Sequence, residues 1–442
     1  MRLTILGGGG FRVPQVHQAL LDDPEHLIDE LVLHDTDPAR LTVIEQVLAG
    51  QSAGARGAGQ VRVTATSDLQ SALRATDFVF SAIRVGGLEG RVTDERSALA
   101  LGVLGQETTG PGGIGYAVRT LPVAWQIAKT VAAVAPSAYV INFTNPAGII
   151  TEGMQQVLGD RVVGICDTPS GLGIRLARLY DVSPDQVRLD YVGLNHLGWL
   201  RHAWTGGRDL VAQVLADDDR LQELEEGRLF GADFLRGLGM LPNEYLYYYY
   251  RNLDAVAALE SAEQTRGEYL VRQQTGFYRA ATGADPATAL DLWAAARADR
   301  ETTYMSEARE ADEERPDTGG GGYEGVALDV MRCLATGQSR TMILNVRNGS
   351  TLPQLSPEAV IEVPSLVDGG GVRPFATTAP PPAALGLMTQ LKGVEQQVIA
   401  AVAAADERLL AAALGQHPLV RSLAAAEQLA SSYLARSSPP RR

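Results

Sequence analysis

Short apolar runs alternate with helical segments through the first half of this chain. Runs at 2–6, 30–34, 61–66, 77–82, 138–144 and 161–166 carry the aliphatic residues of buried strands, while 14–21, 39–48 and 118–134 repeat apolar residues at helical spacing. Strand, helix and strand in that order close as parallel βαβ units, because parallel neighbours need a long crossover. The expected fold class is therefore α/β, beginning with a doubly wound parallel sheet over residues 1–185. Ligands on such sheets bind outside the carboxyl ends of the strands. Gly7, Gly8, Gly9, Gly10, Asp35, Asn145 and Cys166 all fall at or just past those ends.

Beyond residue 185 the pattern changes. Residues 187–204 read as strand, helical stretches follow at 210–226, 256–274 and 286–309, and 342–347 and 359–367 read as strands. Ala-rich helices over 383–413 and 418–435 come last. The expectation is an α+β catalytic or substrate domain spanning 186–436, then a frayed tail at 437–442. Gly319-Gly320-Gly321-Gly322 reads as a loop, and the run Tyr247 to Tyr250 as packing and cleft wall.

The bulk properties exclude several classes. A composition of 45% hydrophobic and 20% charged residues is that of a globule. A net charge of -14 repels nucleic acid and anionic membranes, so an anionic substrate must meet a local group of arginines. Cys166 and Cys333 are the only cysteines, too few for a disulfide framework, which fits a reducing compartment. The first strand runs straight into glycine, leaving no room for a signal peptide, and no segment approaches the roughly 20 apolar residues of a membrane span. A cytoplasmic, unanchored protein is expected.

Three groups of residues carry chemistry. Leu3-Thr4-Ile5-Leu6 followed by Gly7-Gly8-Gly9-Gly10, with Pro14 suited to a first helical turn, is a glycine turn of the Rossmann type that lets backbone approach a pyrophosphate at a helix N-terminus. The third glycine of G-x-G-x-x-G is replaced by Val13. Asp35 ends the second strand where a carboxylate reaches adenosine ribose hydroxyls, and no Arg directly follows it, which favours NAD over NADP. The second group is Cys166-Asp167-Thr168-Pro169 with Gly193-Leu194-Asn195-His196. A thiolate and an imidazole suit a divalent transition metal and leave positions open for substrate oxygens. On spacing alone, a cysteine at a buried strand end is more often packing, and His196 can be a core residue. The third group places Arg84 and Arg91 in a glycine-rich stretch ahead of Gly105 to Gly113, where guanidiniums either recognise phosphate or pair with carboxylates.

With Val-Gly-Gly-Leu-Glu, Gly-Gln-Glu-Thr, Asn-Phe-Thr-Asn-Pro-Ala, Cys-Asp-Thr-Pro and Gly-Leu-Asn-His in place, the chain resembles glycoside hydrolase family 4 over nearly its whole length. Leu241-Pro242-Asn243-Glu244-Tyr245, Gln264 to Glu268, Gly322-Tyr323-Glu324 and Asn345 to Asn348 extend the likeness. The resemblance implies a Rossmann domain followed by a domain like the C-terminal one of lactate and malate dehydrogenases. It also implies a 6-phospho-glucosidase that needs NAD and a divalent metal, usually manganese, and acts on a phosphorylated disaccharide or glucoside. By that likeness NAD takes hydride from C3 of the sugar, Tyr245 removes the acidified C2 proton, the C1 substituent is eliminated, water adds, and the hydride returns. Cys166 and His196 would hold the metal; Arg91 would bind phosphate, Asn145 substrate or nicotinamide ribose, and Arg266 is a further substrate candidate. Asp167 matches a proposed general acid of α-specific members, many β-specific ones having Asn there, whereas Glu263 to Glu268 and Val-Gly-Gly-Leu-Glu look like the 6-phospho-β-glucosidase branch, which is favoured. A homodimer or homotetramer is implied. The competing reading is a 2-hydroxy-acid dehydrogenase with His196 as proton acceptor, which leaves Cys166 and Tyr245 idle.

Overall fold

The computed structural model describes residues 1–54, 61–302 and 322–437. Its first half contains six parallel strands: β1 (Arg2–Leu6), β2 (Glu30–His34), β3 (Arg62–Thr66), β4 (Phe78–Ser81), β5 (Tyr139–Asn142) and β6 (Val162–Gly164). They lie side by side as β3-β2-β1-β4-β5-β6. The order reverses between β1 and β4, the switch point at which a crevice opens in doubly wound sheets. Every expected strand of this half is present, each within a few residues of its sequence reading. β1 is central and buried from Leu3 to Leu6; its one buried polar side chain, Thr4, is accommodated by hydrogen bonds to the Ala72 carbonyl (2.9 Å) and to Thr76 (3.0 Å).

The second half does not stand apart from this sheet. It adds β7 (Arg188–Leu194), β8 (Leu197–Thr205), β9 (Arg208–Asp209), β10 (Leu241–Pro242), β11 (Arg340–Arg347), β12 (Val360–Asp368) and β13 (Gly371–Pro374). These strands are antiparallel, and β11 joins the edge of β6 through one register pair, Asn345 opposite Gly164. The described strands thus form one 13-stranded sheet, ordered β10-β8-β7-β12-β11-β6-β5-β4-β1-β2-β3, with β13 on β12 and β9 on β8.

Where sequence periodicity suggested long single elements, local capping cuts them. The 187–204 run is a hairpin of β7 and β8, because Asn195 and His196 form its turn and His196 takes a left-handed φ of 62°. The 210–226 stretch is three helices, Leu210–Leu215, Asp218–Glu223 and Glu225–Phe230; the Asp217 side chain accepts from Arg220 N at 3.1 Å and so starts the second of them afresh. The 256–274 stretch is split into Asn252–Ser261 and Arg266–Ala281, the latter opened by a Thr265/Glu268 capping box. The 286–309 stretch is seen as Pro286–Thr302, the remainder lying outside the described residues, as do Gly319 to Gly321 and residues 438–442 of the tail. No helix among the described residues is long and apolar enough to cross a membrane.

The C-terminal helices Pro382–Ala404, Glu407–Gly415 and Leu423–Ser437 fold back on the first half. Val394, Val398, Leu429 and Tyr433 share one buried cluster with Ile114, Val118, Leu121 and Ile127 of the long helix Pro111–Val134. That helix is consequently apolar on most of its circumference and begins earlier than its periodicity suggests, at Pro111.

Candidate active site

A single cleft of about 1810 Å³ runs along the carboxyl ends of β1, β4, β5 and β6 and continues over the β7–β8 turn. Gly7, Gly10, Asp35, Arg91, Asn145, Cys166, Asp167, His196, Tyr245 and Arg266 all line it. Gly8 and Gly9 form the wall behind. A Cβ on Gly8 would meet His34 N at 2.8 Å, one on Gly9 would meet the Arg40 Cβ at 2.9 Å, and Gly7 sits at φ 82° with no room for a Cβ beside the Ala82 carbonyl at 2.5 Å. The turn is anchored by Gly7 and Gly8, whose N–H groups donate to the His34 carbonyl at 2.9 and 2.7 Å. Asp35 Oδ2 accepts from Gly9 N at 3.0 Å, and its Oδ1 from Asp37 N at 3.1 Å, which fixes the carboxylate at the cleft rim. Pro14 lies in the first turn of the helix Val13–Leu21 that follows. Glycine turn, helix N-terminus and carboxylate at the end of β2 are the parts a dinucleotide requires, and they converge at the switch point.

The opposite wall carries side-chain chemistry. His196 projects from the β7–β8 turn, its Nδ1 3.0 Å from Thr108 Oγ1, so its other ring nitrogen is the one left for the cleft. Burial, only partly opposed by Glu107, pushes its pKa down to about 4, keeping the ring neutral and able to act as a ligand. Tyr245 stacks on that ring, centroids 3.8 Å apart and planes within 9°. Its backbone is set by the Asn243 side chain, which accepts from Tyr245 N at 3.0 Å and caps the short turn Glu244–Leu246.

Cys166 follows β6 and is buried, its Sγ 3.2 Å from Thr168 Oγ1. Burial, then the Glu362 and Asp167 carboxylates, push the thiol pKa well up. A divalent cation acts in the opposite sense and favours the thiolate. No group of three or more His, Cys, Asp or Glu among the described residues is arranged to hold a metal; a metal held by Cys166 and His196 would have two protein donors and take its remaining ligands from water or substrate oxygens. A thiol and a neutral imidazole on one cleft fit such an open site.

Between the two walls lies a concentration of arginine. Arg84 Nη1 and Arg91 Nη1 reach Glu107 Oε2 at 2.8 and 2.7 Å, and Arg91 Nε reaches Glu95 at 2.6 Å. Burial opposes ionisation of Glu107, yet Arg84, Arg91 and Arg300 together hold its carboxyl well below the usual range. Arg91 is thus paired with two carboxylates, Glu95 and Glu107, while lining the cleft. Arg300 is pushed well down by burial and by the neighbouring Arg12 and Arg266 guanidiniums. Arg266 donates to the Arg300 carbonyl at 3.0 Å. In a chain of net charge -14 this is a local positive field.

A buried polar network lies under Cys166 and His196. Glu362 on β12 accepts from Asn345 (2.8 Å), Asn195 (3.4 Å) and Tyr191 (3.2 Å); Tyr191 Oη in turn accepts from Asn243 (3.4 Å), and Asn243 also donates to Thr168 (2.9 Å). Thus one carboxyl ties together the residues beside His196, Tyr245 and Cys166. Burial raises its pKa to about 7 despite those hydrogen bonds. Sequence reasoning assigned no role to Glu362, Asn243 or Thr108; the available signal was a lone Glu within the apolar run Val360-Ile361-Glu362-Val363.

A nucleotide-type cleft lined by a cysteine and by a histidine with a tyrosine stacked on it marks an enzyme of the dinucleotide-fold class. The chain belongs to glycoside hydrolase family 4: residues 2–182 match the family 4 glycosyl hydrolase model, and 191–420 match the model of the family 4 C-terminal domain. A probable 6-phospho-β-glucosidase of Bacillus subtilis is 28% identical over 98% of this chain and 96% of its own length. A maltose-6'-phosphate glucosidase of the same organism is also 28% identical, over 90% of this chain and 87% of its own. Among solved structures, the 6-phospho-β-glucosidase of Thermotoga maritima with manganese, NAD+ and glucose-6-phosphate is 25% identical, with a TM-score of 0.82 over 99% of this chain and 98% of that one. A malate dehydrogenase of Plasmodium falciparum shares the fold alone, with a TM-score of 0.52 and 12% identity over 91% of this chain and 99% of that one. The expected family and α/β class, including the likeness of fold to dehydrogenases, are borne out.

Proposed function

We propose that this chain hydrolyses 6-phospho-glucosides, with β-linked substrates favoured, and that it uses NAD and a divalent metal, manganese in the first instance. The observation that carries this reading is the Tyr245 ring stacked on the neutral His196 in the same cleft as Cys166 and the glycine turn. When bound, NAD supplies reversible hydride transfer at C3, and the metal supplies Lewis acidity at the C3 oxygen. The chain's own residues do the rest. Gly7 to Gly10 and Asp35 hold the dinucleotide, and Cys166 and His196 hold the metal. Tyr245, fixed by the His196 stack and the Asn243 cap, takes the C2 proton. Asn145 orients substrate or ribose at the end of β5. Arg91 and Arg266 meet the 6-phosphate in the arginine-rich part of the cleft, where a dianion relieves crowding of like charges around Arg300.

A second reading has a specific observation behind it. Asp167 lines the cleft at the start of the helix Thr168–Leu179 without capping it through its side chain, leaving the carboxyl for general acid catalysis on an α-linked leaving group. Residues 1–185 and 186–436 are read as the cofactor and catalytic units of a cytoplasmic homodimer or homotetramer. Turnover of p-nitrophenyl β- and α-glucoside 6-phosphates in parallel, with and without NAD and manganese, tests the whole reading. Expected is β-preferring hydrolysis that needs both additions and shows no net NADH. Net NADH from a 2-hydroxy acid, or hydrolysis indifferent to NAD and chelator, overturns it.

A further inference from the structure

The second half of the chain grips the glycine turn through three aromatic side chains. Tyr278 Oη donates to the Gly9 carbonyl at 2.7 Å, Trp293 Nε1 to the Phe11 carbonyl at 2.8 Å, and Tyr323 Oη to the Arg12 carbonyl at 3.0 Å. The donors come from three successive described helices, Arg266–Ala281, Pro286–Thr302 and Tyr323–Thr336, while the acceptors fall between residues 9 and 12. Arg40 completes the Gly9 contact: its Nε is 3.3 Å from the same carbonyl, its Nη2 donates to Tyr278 Oη at 3.0 Å, and its guanidinium lies 4.2 Å over the Tyr278 ring. Apolar packing braces the set. Phe11 meets Phe277 edge-on at 5.5 Å, and Tyr323 stacks on Phe143 at 4.1 Å. Trp293 and Tyr323 are buried.

A turn that receives an anion must keep its carbonyl dipoles turned away, or the anion meets negative ends; here the Gly7 to Gly10 amides are themselves bonded within the chain, so the orientation of the carbonyls is what remains to be set. Solvent can satisfy such carbonyls but leaves the segment free to rotate. Donors carried on packed helices fix the rotation before any ligand arrives, which removes an ordering cost from binding.

We propose that Tyr278, Trp293 and Tyr323 are positioning residues that pre-set the glycine turn for the dinucleotide pyrophosphate, so that affinity for NAD is governed from the second half of the chain. This rests on the dinucleotide reading of the turn given above. A turn held in this way suits a cofactor that stays in place through successive turnovers rather than one that exchanges in each.

The test is calorimetric titration of NAD alone into metal-free wild type and into Tyr278→Phe, Trp293→Phe and Tyr323→Phe, with melting temperatures of the cofactor-free proteins measured alongside. Trp199→Phe is the control, since it deletes an indole N–H bonded to Tyr250 at 3.1 Å in the β8 region, away from the turn. Each of the three variants is expected to weaken NAD about five- to tenfold, and the triple variant about a hundredfold or more. The control should keep its Kd within about twofold even where its melting temperature falls equally. If the three variants bind NAD as the control does, the aromatic contacts are packing alone and the proposal fails. If wild type binds no NAD, the dinucleotide reading itself has failed, which is a different outcome. Tyr278→Phe removes one oxygen from a half-buried ring and decides the matter should the larger changes prevent folding.

Discussion

The two walls of the cleft are made of different material. The wall at β1 and β2 is backbone: a turn with little room for a Cβ at Gly7, Gly8 or Gly9, held by its own amides on His34, Asp35 and Gly7. The wall at β6, β7 and β10 is side chain: Cys166, His196 and Tyr245, each steered by a hydrogen bond to the side chain of Thr168, Thr108 or Asn243. The contrast teaches that damage to the first wall falls on fold and ligand together, whereas the second can lose its chemistry and keep its shape.

Tyr245→Phe probes the second wall most sharply. With Tyr245 as the proposed general base, its loss is expected to lower kcat about a thousandfold, with the melting temperature nearly unchanged because the His196 stack survives. A comparable fall in melting temperature, or retained exchange of the product C2 hydrogen in heavy water, breaks the comparison. The next effect belongs to Glu362. Folding raises its pKa from 4.5 to about 7, so between those values the folded protein holds a proton that the unfolded chain has released. That stability is complete below about pH 4.5 and is lost as pH rises through 7, by at most about 3 kcal/mol. Melting curves at pH 5 and pH 8 should show the loss in wild type and a reduced loss in Glu362→Gln; equal slopes refute the assignment.

On the first wall, Gly7→Ala meets both a left-handed φ of 82° and the Ala82 carbonyl. The expected cost is about 2 kcal/mol in chemical denaturation, together with loss of NAD binding. Binding retained at full stability would show that the turn tolerates a side chain. The smallest effect is that of Cys166→Ser. Manganese accepts oxygen donors readily, so replacing the thiol should weaken its binding only about tenfold in calorimetry and leave NAD affinity alone. An unchanged metal affinity removes Cys166 from the ligand set.

How far the sequence could be read follows the same division. The backbone wall was legible because a glycine run after an apolar strand is a local pattern, and Asp35 sits at the end of the next strand. Cys166 and His196 could be picked out as metal-ligand types but not told from packing residues, and Tyr245 was reachable only through family resemblance, since their meeting depends on β6, the β7–β8 hairpin and β10 being brought together by the sheet. The hairpin was hidden because Leu194-Asn195-His196-Leu197 contains neither glycine nor proline to mark a two-residue turn. Tyr278, Trp293 and Tyr323 could not be found at all: nothing in an aromatic residue on a helix announces a carbonyl some 270 to 310 positions earlier in the chain.

The return of the last three helices onto Pro111–Val134 bears on how this protein can be recombined. Chain order and spatial neighbourhood disagree: residues 382–437 are the last described yet pack against the half that comes first. A graft that exchanged the nucleotide unit by splicing in the loop before β7 would leave an oily helix face bare on one product and three orphan helices on the other. The transferable piece is discontinuous, and a chimaera must carry both ends of the gene product to inherit one working half.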